Sequence, residues 1–241
     1  MKLLVVIPAY NEQGNILNTV RDLRVHCPEA DCIAVNDCSK DDTRRVLEEN
    51  GIPYLDLPVN LGIGGAVQTG YLYGVQHGYD IAVQFDGDGQ HRADCIRELI
   101  RPLAEGRADM TVGSRFADRE EKDGFKSSAA RRVGIRMLSA LIRLVTGKRI
   151  RDVTSGFRAV NRRLMAYYAD HYAHDFPEPE AIVLALNNGY RVEEVPARMN
   201  ARENGQSSIQ RLMAVYYMVK VSMAILVAGV HTPRRRKGEQ A

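Results

Sequence analysis

Residues 81–91, IAVQFDGDGQH, set two carboxylates, Asp86 and Asp88, one residue apart with Gly87 and Gly89 beside them. The apolar run that leads into them, Ile81-Ala82-Val83-Gln84-Phe85, reads as a buried strand. Both carboxylates then stand at the strand's C-terminal end and can reach one divalent cation. Hard cations of the Mg²⁺ kind take oxygen ligands and keep waters and substrate phosphates in their shell. Glycine lets a diphosphate come close to the backbone. The pattern points to a metal-dependent site for a nucleotide diphosphate. The plainer reading of the same residues is an Asp/Gly turn that closes a strand and binds nothing.

Charge is the second chemical signal. The net charge of 241 residues is only +3, but from Lys126 to Arg163 there are eleven Lys and Arg and one acid, Asp152. Such a local excess implies an anionic partner: the phosphates of a small substrate, lipid headgroups or nucleic acid. A solvated helix face is the alternative. Phe157 is the only aromatic residue in this window. Single strands bind where aromatic side chains supply stacking platforms, so nucleic acid is not expected. Guanidinium binds phosphate bidentately, which makes Arg115, Arg131 and Arg132 candidates for a phosphate. Asp152 is either a general base or the carboxylate that orients Arg158 or another arginine.

These groups need a scaffold. Short apolar runs at 3–7, 32–35, 53–57, 80–85 and 110–112 predict strands. Helical spacing or helix-start residues mark 15–25, 43–49, 62–77, 93–103 and 129–145. The alternation predicts βαβ units and an α/β fold with a mainly parallel sheet flanked by helices. Ligands of such sheets bind outside the carboxyl ends of the strands. Three polar clusters fall there: 8–12 (PAYNE), Asn36-Asp37 and Asp86-Gly87-Asp88. Further on, 118–126 is a polar loop, 153–161 a loop and short strand, 162–169 and 179–188 are helical, and 189–196 is a turn and strand.

Residues 1–206 are expected to form the main domain, and 207–241 a C-terminal amphipathic helix with a basic tail. The apolar stretch 213–230 is interrupted by Lys220 and followed by Arg234-Arg235-Arg236-Lys237. A spanning helix needs about 20 apolar residues, and a central lysine is costly there. A helix lying on an anionic membrane surface fits better. Packing on a partner, either a second copy of the chain or a small membrane protein, is the other reading. Met1-Lys2 leads straight into a strand-like run too short for a leader's apolar core. Cys27, Cys32, Cys38 and Cys95 form no CxxC pair. A reduced, cytoplasmic setting is therefore expected. His171 and His174 have metal-like spacing but no clear further ligands.

Six motifs occur in order: VIPAYNE at 6–12, VNDCSKDDT at 35–43, NLGIGGA at 60–66, DGDGQH at 86–91, GSR at 113–115 and DVTSGFR at 152–158. Over about residues 3–163 the chain resembles the family 2 glycosyltransferases of GT-A fold. Within them it is similar to the dolichol-phosphate mannosyltransferase branch, which moves a sugar from a nucleotide donor onto a polyprenyl phosphate. FPEPE at 176–180 and MNARENGQSS at 199–208 resemble bacterial members serving cell-surface polysaccharide assembly.

The resemblance implies roles. Pro8, Tyr10 and Glu12 line the nucleotide, and Asp37 accepts a hydrogen bond from its base; without the family, Asp37 reads as a helix cap. Asp86 and Gly87 belong to the nucleotide-sugar site, with Asp86 at the ribose or the metal-bound waters. Asp88 ligates Mg²⁺ or Mn²⁺, with Gln90 as a third oxygen donor; His91 follows the motif, but read from the residues alone it is a surface histidine. Ser155 and Gly156 shape the loop beneath the sugar. Glu178 and Glu180 contact sugar hydroxyls or start a helix. Arg202, with Gly205 and Ser207, closes on the diphosphate or belongs to a linker.

The implied chemistry is an inverting displacement at an anomeric carbon, with a nucleoside diphosphate leaving and a cation offsetting its charge. A sugar hydroxyl as nucleophile needs a general base. A lipid monophosphate, with a second pKa near ~6, is already largely dianionic and needs cations instead. Undecaprenyl or dolichyl phosphate is therefore the expected acceptor, and Arg115 and Asp152 the expected catalytic pair. A hydroxyl of a growing glycan is the alternative, and a nucleotide-binding scaffold for a membrane partner is the alternative of another class. The expected place is the cytoplasmic face of a membrane, held peripherally.

Overall fold

The computed structural model describes residues 1–116, 129–173, 177–198 and 211–231. Strand β1 (Leu3–Ala9) is buried along its whole length. A strand covered on both faces reads as a continuous apolar run rather than an alternation, which is what LLVVIPA is. It pairs in parallel with β2 (Asp31–Asn36) on one side and β4 (Ile81–Gln84) on the other, and β3 (Tyr54–Asp56) extends the sheet beyond β2. Strands β5 (Met110–Ser114), β6 (Arg158–Asn161) and β7 (Val192–Pro196) complete the order β3-β2-β1-β4-β6-β5-β7 among the described residues. Of these, β6 runs antiparallel to both its neighbours. The short strand expected within 153–161 is thus a reversed one, and the sheet is otherwise parallel as expected.

Alternate side chains of a strand point to opposite faces, so β1 feeds two cores. Leu3, Val5 and Ile7 join residues of α1 (Ile16–His26), α2 (Thr43–Glu49) and α4 (Ile96–Ala104). Leu4 and Val6 join residues of α3 (Gly62–Gln76), α5 (Ala129–Thr146), α6 (Arg162–His171) and α7 (Pro177–Asn187). Helix α8 (Arg211–His231) adds Val221, Ile225 and Ala228 to that second core. Their spacing of four and three residues is one helical stripe. It packs against α5 and α7.

Helix α3 lies close on β1 because Gly70 has no side chain; a Cβ built there overlaps Val6 Cγ1. Alanine gains about 1 kcal/mol of helix propensity over glycine, whereas overpacking costs about 1–3 kcal/mol. Val6 is β-branched in a central strand and cannot swing aside. Gly70→Ala is expected to destabilise the protein by up to about 2 kcal/mol in urea denaturation; a stabilised variant would contradict this packing.

The chain grows outward from β1 through β2 to β3, then crosses by α3 to the other side of β1. That reversal makes the C-terminal ends of β1 and β4 the switch point at which open α/β sheets form a crevice.

Candidate active site

The crevice is a cleft of about 380 Å³, a size that suits a small-molecule ligand. Pro8, Tyr10 and Glu12 line it from the end of β1, and Asp37 from the end of β2. Gly62 and Ile63 come from the start of α3, and Asp86, Gly87 and Asp88 follow β4. The structure brings together all the expected nucleotide-sugar residues that it describes. Arg202 lies outside the described residues, as do Gly205 and Ser207.

The loop after β1 is tied to the loop after β2. Backbone N–H groups of Asn11, Glu12 and Gln13 donate to Ser39 Oγ (3.0 Å), Thr43 Oγ1 (2.8 Å) and Asp41 Oδ2 (3.2 Å). Asn11 itself has φ 57, a left-handed conformation that Asn tolerates, and its Oδ1 accepts the N–H of Lys40 at 2.8 Å. Asp37 is buried and does not cap α2. Its Oδ1 accepts the N–H of Leu61 (2.7 Å), its carbonyl accepts Asn60 Nδ2 (3.1 Å), and its own N–H donates to the Ala9 carbonyl (2.9 Å). One residue thereby joins two strand ends to the entry of α3.

Asp86 is gripped from several directions. Its backbone N–H donates to Nδ1 of His91 at 3.0 Å. His91 is 4% exposed, which corrects its reading as a surface histidine. The ring clusters with Phe85, edge-on at 5.4 Å, and Phe157, tilted at 5.0 Å between centroids. Burial pushes its pKa down to about 4, against the opposing pull of Asp88. Gln84 Nε2 lies 3.4 Å from Asp86 Oδ1, and a Cβ added to Gly156 would stand 2.6 Å from Oδ2. Thr19 of α1 donates to the Gly87 carbonyl at 3.2 Å. Asp88 folds back so that its Oδ1 accepts the N–H of Gln90 (3.0 Å). Gly89, at φ +75, makes that turn accessible. Gln90 is not among the lining residues of the cleft.

Asp86 and Asp88 offer hard oxygen donors on one wall. Among the described residues, no three His, Cys, Asp or Glu side chains converge on one point. The described residues therefore build no closed cage of the structural-zinc kind. The donor set fits Mg²⁺ or Mn²⁺, whose other positions go to water and diphosphate oxygens.

Asp152 is fully buried and holds Arg115, which follows β5, rather than Arg158. Arg115 donates from Nε to Oδ2 (2.8 Å), from Nη2 to Oδ1 (2.7 Å) and from its backbone N–H to Oδ2 (3.0 Å). Nη2 also reaches Thr154 Oγ1 at 3.3 Å. Both carboxylate oxygens are thus engaged by one guanidinium. Arg158 is fully buried too, and its donors go to the carbonyls of Ser155 (2.6 Å), Glu178 (2.6 Å) and Val153 (3.2 Å). Burial raises the Glu178 carboxyl, with Arg158 opposing and Asp86 adding. Glu178 therefore shares the electrostatic surroundings of Asp86. Arg132 stands exposed near the start of α5; the Arg131 side chain lies outside the described residues. His171 Nδ1 sits 3.1 Å from the Tyr167 carbonyl, with its ring stacked on that tyrosine, while His174 is outside the described residues.

Sequence reasoning missed the burial of His91 and the Gln84–Asp86 contact. One signal was available: Gln84 and Arg158 are polar interruptions in strand runs, and the register places them directly opposite each other.

The family model for glycosyl transferase family 2 matches residues 4–168. The chain is 32% identical over 216 residues to the UDP-N-acetylglucosamine–dolichyl-phosphate N-acetylglucosaminyltransferase of Methanococcus voltae, covering 81% of this chain and 84% of that protein. It is 28% identical over 248 residues to the undecaprenyl-phosphate mannosyltransferase of Micrococcus luteus, covering 99% and 100%. Among solved structures, glucosyl-3-phosphoglycerate synthase from Mycobacterium tuberculosis, in complex with Mn²⁺, uridine diphosphate and glucosyl-3-phosphoglycerate, has the same fold. The TM-score is 0.69 at 20% identity, over 96% of this chain and 81% of that one. The sheet is thus of the expected GT-A type. Because the family match spans well over half of the sequence, the chain is a glycosyltransferase and belongs to glycosyl transferase family 2.

Proposed function

We propose that this enzyme transfers a sugar, with inversion, from a nucleotide-diphospho-sugar to a polyprenyl phosphate, undecaprenyl or dolichyl, in cell-surface glycan assembly. The observation that carries the reading is that Asp37, Asp86 and Asp88 line one cleft at the sheet's switch point. Relatives named for polyprenyl-phosphate acceptors support the acceptor class. Pro8, Tyr10 and Glu12 bound the nucleotide, and Asp37 presents a carboxylate to a base N–H. Asp86 and Asp88, with Gln90, hold Mg²⁺ or Mn²⁺, which when bound offsets the charge that grows on the departing diphosphate.

Two structural features support a phosphate acceptor over a sugar hydroxyl. The first is Asp152. A hydroxyl needs a base, but both oxygens of this carboxylate are already taken by Arg115. Asp152 serves as a positioning group for Arg115. That guanidinium, with Arg131 and Arg132 on α5, is assigned to the acceptor phosphate, whose dianion needs cations and no base.

The second feature is a two-helix platform. A Cβ on Gly134 would meet Met218, and one on Gly229 would meet Val145, so α5 and α8 run side by side in the same direction. Away from the core, α5 exposes Val133, Met137 and Leu144, and α8 exposes Val219, Met223, Leu226 and Val230. Each set is a single helical stripe. Arg132, Arg136 and Arg143 form an exposed row beside the α5 stripe. Among the described residues no helix is long and apolar enough to cross a membrane. An apolar face edged by cations suits an anionic membrane surface, and the enzyme is assigned to its cytoplasmic face. Each methionine moved from the acyl boundary to water costs about 1.5–3 kcal/mol. Met137→Glu with Met223→Glu is therefore expected to weaken binding to anionic vesicles at least about tenfold. Transfer to a short-chain, water-soluble polyprenyl phosphate should be unaffected. Unchanged vesicle sedimentation would remove this face from the membrane.

The activity itself is tested by incubating the purified protein with radiolabelled nucleotide sugars, Mg²⁺ and polyprenyl phosphate. Label in the organic phase supports the proposal. Label confined to water-soluble glycan points to a hydroxyl acceptor, and nucleotide binding without transfer points to a scaffold.

A further inference from the structure

We propose that His91 is a positioning residue for Asp86: its imidazole, held as the Nε2–H tautomer by the Asp86 backbone N–H on Nδ1, turns Nε2–H toward Asp86 Oδ2. A neutral imidazole has one donor and one acceptor nitrogen. Nδ1 accepts the N–H of Asp86 at 3.0 Å, so the proton sits on Nε2, which lies 3.5 Å from Asp86 Oδ2. The ring cannot turn away, being nearly inaccessible and packed with Phe85 and Phe157.

The terminal torsion of an aspartate is broad and roughly two-fold, so a lone carboxylate at the end of β4 would have to be ordered as its ligand arrives. Here Gln84 stands beside Oδ1 and His91 beside Oδ2, while Gly156 leaves the carboxylate the room a side chain would take. The two polar neighbours fix the carboxylate plane in advance. Partners of this kind orient metal ligands, and their loss typically costs about 10–100-fold in affinity. The inference rests on the reading of Asp86 as a metal-site residue; the placement of the histidine stands on its own.

Two measurements test it. In ¹⁵N-histidine spectra of the wild type between pH 6 and 8, with His91→Gln for assignment, Nδ1 should be unprotonated and Nε2 protonated. An imidazolium or the opposite tautomer overturns the inference. In the second, Mn²⁺ binding is followed by EPR with UDP or GDP present, alongside thermal denaturation. His91→Phe keeps the ring packing and removes both nitrogens; it should bind Mn²⁺ at least about tenfold more weakly. His91→Gln restores a side-chain N–H and should lie within about threefold of wild type. Wild-type affinity in His91→Phe would make the histidine mere packing and overturn the inference. If His91→Phe does not fold, the tautomer measurement decides. A wild type that binds no Mn²⁺ under any of these conditions removes the metal reading, whatever the tautomer shows.

Discussion

Asp88→Ala is expected to lower turnover about a thousandfold and to leave the fold almost untouched. Groups that stabilise charge developing in a transition state are worth about 10²–10³ each in rate, and Asp88 is assigned to hold the cation that does so. Its structural contribution is small by comparison. Asp88 is half-buried and its Oδ1 accepts the backbone N–H of Gln90. Such a bond contributes about 0.5–1.5 kcal/mol, which in a protein of this size moves the melting temperature by about 2–4 °C per kcal/mol. Steady-state transfer assays and thermal denaturation on the same preparation separate the two effects. Turnover within threefold of wild type would remove Asp88 from the metal site.

The second large effect concerns Arg115 and Asp152. Removing one member of a buried ion pair strands the other's charge, typically at about 3–5 kcal/mol. Asp152 is fully buried and Arg115 is its bidentate partner. Arg115→Met should therefore destabilise by about 3–5 kcal/mol in urea denaturation. Replacing a whole buried pair by apolar residues is often close to neutral, so Arg115→Met combined with Asp152→Leu should recover most of the lost stability. It should not recover transfer, because the guanidinium assigned to the acceptor phosphate is still missing. Full activity in the double variant would show that the pair only braces the loop. A single variant costing less than about 1 kcal/mol would show that it does not brace it.

Much of the architecture could be read from the chain because strong periodicities agreed with each other. The uninterrupted apolar run of β1 and the alternation of strands with helices both mean a covered parallel sheet. The ends of β1, β2 and β4 could therefore be named as the ligand edge before any distance was known. Other features are set by long-range contacts that no local pattern records. The direction of β6 depends on the reach of the segment 147–157 between α5 and β6. Whether His91 is wet or dry depends on Phe157, far along the chain. That Asp152 takes Arg115 rather than Arg158 depends on which strand ends lie side by side. Arg158, charged and inside a strand, reads as surface by composition, yet three carbonyls satisfy it in the core. The apolar run near the C-terminus was legible as a helix, but not the stripe of Val221, Ile225 and Ala228 by which it is bolted to the body.

The reversed strand β6 has a consequence for synthesis. On the side away from β1, residues Ile81–Gln84 pair with Arg158–Asn161, and β5 pairs with three of the same residues, Arg158, Ala159 and Val160. A nascent chain that has emerged as far as β5 already carries both acidic side chains of the Asp86–Asp88 turn. Its sheet, however, still has bare edges on β4 and β5, the kind that invite pairing between chains. Pairings so distant in sequence form late and slowly. The second half of the polypeptide is thus the keystone of the first. Shielding by the ribosome or a chaperone during that interval should raise the yield of soluble protein more than lowered temperature alone.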